Sequence, residues 1–256
     1  MSSRPGSGSA TREEWMTVAA ARMLRNRQVC FVGIGLPSAA CNLARLTHAP
    51  DIVLIYESGT IGTRPDMLPL SIGDGELAET AAFVVPLPDV FAHYLQGGRV
   101  DVGFLGAAQV DRLGNLNSTV IGPYASPATR LPGAGGAPEI AAHARQTFVM
   151  LKAHRRSFVD RLDFRTTARF RAGGPSAVIT DFGVLAPRPD THELQLAALF
   201  ADATIDEARA AVGWPLAAAD TVARTPAPTA QELDTLRALH ARTRQAHAQA
   251  VALPAS

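Results

Sequence analysis

Ile52-Val53-Leu54-Ile55-Tyr56-Glu57-Ser58-Gly59 is the stretch on which the fold turns. Apolar residues run without a polar break and stop at a carboxylate followed by Ser-Gly. A run of that length and composition predicts a strand of a parallel sheet, buried on both faces. Glu57 would then stand at the strand's carboxyl end, the edge at which open α/β sheets bind ligands. A structural acid would more usually cap a helix, pair with a base or face solvent. An acid projected into a cleft can serve as nucleophile, base or hydroxyl ligand.

Outward from this strand the pattern alternates. Thr11-Arg12-Glu13-Glu14 has the form of a capping box and predicts a helix, with Trp15, Val18, Ala19 and Met23 as its apolar stripe. Strands are predicted at 29–32, 52–56, 100–105, 147–151, 177–181 and 194–200. Pro37 suits the first turn of a second helix, and short helices are predicted at 89–96 and 137–145. Thr204-Ile205-Asp206-Glu207 and Thr229-Ala230-Gln231-Glu232 repeat the capping-box pattern. The last opens a long helix toward Ala248. Residues 215–230, rich in Ala and Pro, are expected to loop out, and 111–117 to form turns. The fold class is α/β, with an open, mainly parallel, doubly wound sheet and flanking helices. Residues 1–10 are expected to be a disordered tail and 11–256 a single domain.

Three glycine-bearing segments are candidates for chemistry. Gly33-Ile34-Gly35-Leu36-Pro37-Ser38 follows a strand and opens a helix, with Glu57 downstream, as in a dinucleotide fingerprint. Ser38 in place of the third glycine, and Pro37 with no N–H to offer a pyrophosphate, argue against that use. A plain tight turn is the alternative. In Glu57-Ser58-Gly59-Thr60-Ile61-Gly62, the glycines allow a sharp turn that leaves the carboxylate accessible. Gly133-Ala134-Gly135-Gly136-Ala137 offers backbone N–H groups at a helix start, for a phosphate or a developing oxyanion. A flexible loop between Pro132 and Pro138 is the alternative. The run from Lys152 to Arg156, with Arg161, Arg165 and Arg169, is either a solvated face or a site for an anionic group.

Composition narrows the rest. The 256 residues are 47% hydrophobic, enough for a sizeable core, and the formal net charge of +1 carries no basic footprint for nucleic acid. No apolar run approaches the roughly 18 residues of a membrane span, and the Ser/Gly-rich start does not read as a signal peptide. Two cysteines, Cys30 and Cys41, make neither a disulfide framework nor a zinc site, and the seven histidines show no metal-ligand spacing. His143 and His154 are expected at the surface, and the location is expected to be cytoplasmic.

Taken in order, these segments resemble the β subunit of the family I CoA-transferases, in its 3-oxoadipate and glutaconate branches. The resemblance is carried by Met16-Thr17-Val18-Ala19-Ala20-Ala21-Arg22, Cys30-Phe31-Val32-Gly33-Ile34-Gly35-Leu36-Pro37-Ser38 and Ile55-Tyr56-Glu57-Ser58-Gly59. It continues through Leu70-Ser71-Ile72-Gly73-Asp74-Gly75-Glu76-Leu77-Ala78-Glu79-Thr80 and Gly103-Phe104-Leu105-Gly106-Ala107-Ala108-Gln109-Val110-Asp111. Gly114-Asn115-Leu116-Asn117 and Leu131-Pro132-Gly133-Ala134-Gly135-Gly136-Ala137-Pro138-Glu139-Ile140 complete it, so that it covers roughly residues 14–180.

The resemblance implies that Glu57 forms a covalent glutamyl-CoA thioester and that Gly136 and Ala137 supply oxyanion donors. It further places Gly33, Gly35, Ser58, Gly59, Gln109 and Gly135 in the loops around substrate or CoA. No metal or permanently bound cofactor is implied; coenzyme A is a substrate. The expected reaction moves CoA between succinyl-CoA and a dicarboxylic acid such as 3-oxoadipate; the alternatives are a CoA-thioester or ring-opening hydrolase on the same scaffold, or a non-catalytic partner subunit. The implied partner is a separate α subunit, in an αβ or α2β2 assembly, with no nucleic acid and no membrane. After Thr166-Thr167 the chain departs from the family pattern, with Ala168-Arg169-Phe170-Arg171-Ala172-Gly173-Gly174-Pro175 in place of a longer glycine-rich stretch, which bears on the acyl or CoA pocket.

Overall fold

The computed structural model describes residues 9–252 apart from Arg169, Ala172 and Ala201. The expected tail therefore falls almost wholly outside the described residues, as does Arg169 of the basic run. The first half contains α1 (Arg12–Arg22), β1 (Val29–Phe31), α2 (Leu36–Leu46), β2 (Val53–Ile55), β3 (Thr60–Ile61), α3 (Gly75–Glu79), β4 (Phe83–Val84) and α4 (Leu87–Asp89). A π-helical segment, Val90–Gln96, follows, then β5 (Val102–Leu105), β6 (Gln109–Val110), β7 (Leu116–Asn117), β8 (Val120–Ile121) and β9 (Thr129–Arg130). The second half contains α5 (Ala137–His143), β10 (Gln146–Met150), β11 (Ala177–Ile179), β12 (Gly183–Pro187), β13 (Leu194–Leu199), α6 (Ile205–Ala211), β14 (Ala218–Arg224) and α7 (Ala230–Ala252).

One ten-stranded sheet has the order β14-β13-β12-β11-β10-β5-β1-β2-β3-β4. Its centre, β11-β10-β5-β1-β2, is parallel throughout, and antiparallel hairpins flank it on both sides. All four residues of β5 are buried, as expected of a parallel strand covered on both faces.

Successive residues of β1 show which helices cover which face. Cys30 meets Cys41 of α2, whereas Phe31 points the other way and packs on Phe91 of the π-helix, ring centroids 5.8 Å apart. Gly103, paired in register with Phe31, lies under α5 so closely that any side chain would strike Ile140. The doubly wound arrangement thus has α1, α2 and α7 on one face, with α5 and the π-helix on the other.

All three capping boxes form. Thr11, Thr204 and Thr229 accept from the backbone N–H of Glu14, Glu207 and Glu232, whose carboxylates accept the threonine N–H groups at 2.7–2.8 Å. Each satisfies helix-end donors that would otherwise be orphaned.

Two sequence expectations need correction. Part of 215–230 does not loop out: Ala218–Arg224 is the edge strand β14, parallel to β13, whose mixed half-exposed residues carry no alternation to betray it. The helix expected at 89–96 is π-wound over most of its length. After Glu57 the chain turns back in an antiparallel hairpin, β2 to β3, in keeping with the sharp turn expected at its glycines. Between β5 and α5 the chain builds two small hairpins, β6–β7 and β8–β9, where no helix was legible.

Candidate active site

Chain direction reverses about β1. The α2 crossover carries the chain from β1 to β2 on one side, while β5 lies on the other side and leads outward to β10. The carboxyl ends of β1 and β5 therefore form the topological switch point at which open α/β sheets bind ligands. A cavity of about 320 Å³ opens there, lined by Gly33 and Ile34 after β1, Phe104 to Gly106 at the end of β5, Glu57 after β2, and Pro132 to Ala137 ahead of α5. Among its lining residues Glu57 is the only charged side chain.

The Glu57 turn is explained by its neighbours. Tyr56 N–H donates to Thr60 O at 3.1 Å and Gly59 N–H to Tyr56 O at 3.0 Å, which makes Glu57-Ser58-Gly59 a three-residue hairpin loop. Gly59 has a φ of +102°, and a side chain there would collide with the Val85 carbonyl, so the third position admits glycine alone. Beneath the turn, the buried Tyr56 hydroxyl shares a 2.8 Å hydrogen bond with Ser38. That contact uses the residue standing where a dinucleotide fingerprint has its third glycine. It ties the Gly33–Ser38 loop to the Glu57 hairpin.

Glu57 is half-buried, and among the described residues no hydrogen bond or ion pair engages its carboxylate. Opposite it lies Gly136. A Cβ built there would stand 2.6 Å from Phe91 Cζ and 3.0 Å from Glu57 Oε1. The backbone at 136 is thus held between an aromatic ring and the carboxylate, a place that only glycine fits. Ser118 anchors the loop: its hydroxyl donates to Gly133 O, and its carbonyl accepts Gly133 N–H, both at 2.8 Å. Ala137 N–H is spent on Ala134 O at 3.0 Å, while the N–H groups of Gly135 and Gly136 have no partner among the described residues.

Of the residues singled out from sequence, Glu57, Gly33, Gly135, Gly136 and Ala137 share this cavity. The others stand back from it. Gly35 is the N-cap of α2, Gly59 is buried under β4, and the Ser58 hydroxyl is buried with no partner among the described residues. Gln109 is buried in a polar knot, donating to Asp163 at 3.1 Å and accepting from Asn117 at 2.7 Å. Phe91, Ser118 and Ile72 have no local signal in the sequence; Phe91 lies 34 residues from Glu57 and 45 from Gly136, and only the fold brings the three together.

A larger cleft, about 560 Å³, opens on the α1/α7 face between Arg12, Lys152, Arg237 and Arg244. Its acids are already engaged: Glu13 pairs with Lys152 at 2.8 Å, Glu14 with Arg237 at 2.6 Å, and Asp181 accepts Ala153 N–H at 2.8 Å. Volume alone does not make it the reactive site.

Comparison with known proteins places the chain in a family. The family model described as coenzyme A transferase matches residues 13–210. The chain is 55% identical over 248 residues to the B subunit of 3-oxoadipate CoA-transferase from Pseudomonas knackmussii, covering 92% of this chain and 95% of the relative. It is 32% identical over 223 residues to the B subunit of glutaconate CoA-transferase from Acidaminococcus fermentans, covering 80% and 84%. It superposes on the crystal structure of glutaconate coenzyme A-transferase from Acidaminococcus fermentans with a TM-score of 0.82 at 31% identity, covering 89% of this chain and 94% of that one. The decarboxylase AibA/AibB gives a TM-score of 0.81 at 26% identity, covering 93% and 98%. The chain belongs to the coenzyme A transferase family.

Proposed function

We propose that this chain is the β subunit of a CoA-transferase and that Glu57 is its nucleophile. The observation that carries the reading is the state of Glu57: a half-buried carboxylate at the switch point, with no ion pair among the described residues, facing the Gly136 backbone. The carboxylate attacks the acyl-CoA carbonyl, the C–S bond breaks, and an acyl-glutamyl anhydride forms with release of CoA thiolate. The thiolate then attacks the Glu57 carbonyl, freeing the first acid and leaving a glutamyl-CoA thioester. The acceptor acid runs both steps in reverse, in ping-pong order. A carboxylate is a weak nucleophile, so donors at the developing oxyanion carry much of the acceleration. With Ala137 N–H engaged, Gly135 and Gly136 N–H are the donors assigned to that task.

The acceptor proposed is a dicarboxylic acid such as 3-oxoadipate, after the name of the 55% identical relative, and the donor proposed is succinyl-CoA. Among the described residues no Lys or Arg lines the cavity, so a distal carboxylate is met by the partner chain. That partner is a separate α subunit, in keeping with the subunit naming of both relatives. No helix among the described residues is long and apolar enough to cross a membrane, and a cytoplasmic enzyme is the reading we adopt.

The test is intact-mass spectrometry of the α/β complex mixed with succinyl-CoA. The expected result is a CoA-sized adduct on Glu57, sensitive to hydroxylamine and lost on adding acceptor acid. Steady release of free CoA without an adduct would replace transfer by hydrolysis. An adduct on any residue but Glu57 would remove the mechanism.

A further inference from the structure

The segment between Leu70 and Leu87 is unlike the rest of the surface. Leu70, Ile72, Phe83, Val84 and Leu87 are 67, 41, 50, 56 and 51% exposed, five of eight large apolar side chains so exposed among the described residues. Clusters of this kind mark interaction sites, whereas scattered apolar residues do not. Phe83 and Val84 form β4, the last strand of the ten-stranded sheet, paired with β3 on one side only. An open sheet edge with apolar side chains is a template for another chain.

Charge follows the same boundary. From Pro65 to Gly98 there are five acids, Asp66, Asp74, Glu76, Glu79 and Asp89, and no Lys or Arg, in a protein of net charge +1. Among the described residues none of the five forms an ion pair with Lys or Arg; Asp89 faces His93 at 3.6 Å. The surface is also preorganised. Asp74 accepts Leu70 N–H at 2.9 Å, Glu76 accepts Asp66 N–H at 2.7 Å, and Val85 N–H clamps β4 onto Gly59 O at 2.9 Å. The last bond joins the edge directly to the Glu57 turn, and Ile72 belongs at once to the exposed face and to the cavity wall.

We infer that this apolar, acid-rimmed face and the free edge of β4 dock the α subunit, through an apolar centre ringed by Lys and Arg. The docked subunit also covers the open side of the Glu57 cavity. A second copy meeting the face isologously would set five acids against five, a repulsive juxtaposition. The inference rests on the two-subunit reading above and deepens it by naming the surface and the chemistry of what covers it.

The experiment uses the full chain with its α subunit and measures the α/β dissociation constant by sedimentation at about 0.05 and 0.5 M salt. Phe83→Lys combined with Val84→Lys is expected to weaken assembly at least about 100-fold. Asp66→Lys combined with Glu79→Lys is expected to weaken it about tenfold and to flatten its salt dependence. Leu113→Lys and Tyr124→Lys, exposed apolar positions outside the face, are expected to leave assembly unchanged. Unaltered far-ultraviolet dichroism and thermal midpoints exclude misfolding as the cause.

Equal affinity of the edge variants and the wild type would overturn the inference. So would a homo-oligomer of the isolated chain that the edge variants dissolve, or no α association of the wild type at any salt. Adduct formation on Glu57 is scored separately. Adduct on the assembled wild type without an effect of the edge variants on assembly sinks the docking surface alone; weakened assembly of the edge variants, with no adduct on the assembled wild type, sinks the transfer chemistry alone.

Discussion

Two clefts open at the carboxyl edge of one sheet, on opposite faces, and they use their acids in opposite ways. In the α1/α7 cleft every carboxylate is engaged. Glu14 takes two hydrogen bonds from Arg237, at 2.6 and 3.0 Å, and caps α1 as well, and the guanidinium holds its carboxyl below the ordinary range. Close by, Arg22 at the end of α1 grips Glu232 at the start of α7 with bonds of 2.7 and 2.6 Å. In the Glu57 cavity the single carboxylate has no such partner among the described residues. Pairing commits an acid to holding helices in place. An acid left unpaired, half-buried and opposite free backbone N–H groups is available to attack. On the function proposed above the larger cleft is the structural one, and the state of the charges, not the volume of the space, is what separates the two.

The sharpest way to break this contrast is Glu57→Ala. Transfer should fall by at least about 10³-fold, measured as kcat/KM with succinyl-CoA, while the thermal midpoint stays put because no folded-state bond is lost. A midpoint drop of several degrees would place Glu57 among the structural acids. Glu57→Asp should fail nearly as badly, since one methylene misplaces the attacking oxygen by about 1 Å.

Gly136→Ala probes the other wall of the same cavity. Its Cβ would crowd both Phe91 and Glu57 Oε1, and adduct formation should slow about 10²-fold. Combining it with Phe91→Leu relieves the aromatic side of the clash, and partial recovery of the rate is the expected result. No recovery would place the damage on the Glu57 side.

On the opposite face the effect should be on stability and not on rate. Burial by itself would raise the Glu232 carboxyl, but hydrogen bonds from Arg22 and Thr229 outweigh it and bring it down to about 2. The folded state thus favours the ionised form. Its contribution is full above the unfolded value of about 4.3 and is lost as pH falls through the folded value. Glu232→Gln should cost about 2 kcal/mol at neutral pH and flatten the acid limb of a stability–pH profile. Urea titrations at several pH values would show this, and an unchanged acid limb would assign the acid sensitivity elsewhere.

The smallest effect is expected for Lys152→Ala. The Lys152–Glu13 pair is largely exposed, with side chains at 59 and 49%, and such pairs contribute roughly 0–1 kcal/mol. A loss of transfer in this variant would reopen the α1/α7 cleft as a functional site.

What the sequence determined by itself was whatever depends on near neighbours along the chain. The three Thr-x-x-Glu boxes formed as read, because a capping box is closed by residues three apart. The central strands were legible because burial on both faces demands an unbroken apolar run. The turn at Glu57-Ser58-Gly59 was legible because a left-handed third residue calls for glycine. Family membership followed from several such segments in order. Only the tertiary structure decided what each of them faces. Edge strand β14 escaped notice because it is half-exposed and carries no pattern of its own. The π-helix that delivers Phe91 to Gly136, and the absence of any cation beside Glu57 among the described residues, are contacts across 34 to 79 residues of chain. No local rule encodes such contacts, because they exist only once the sheet has gathered its strands and set its helices on two faces.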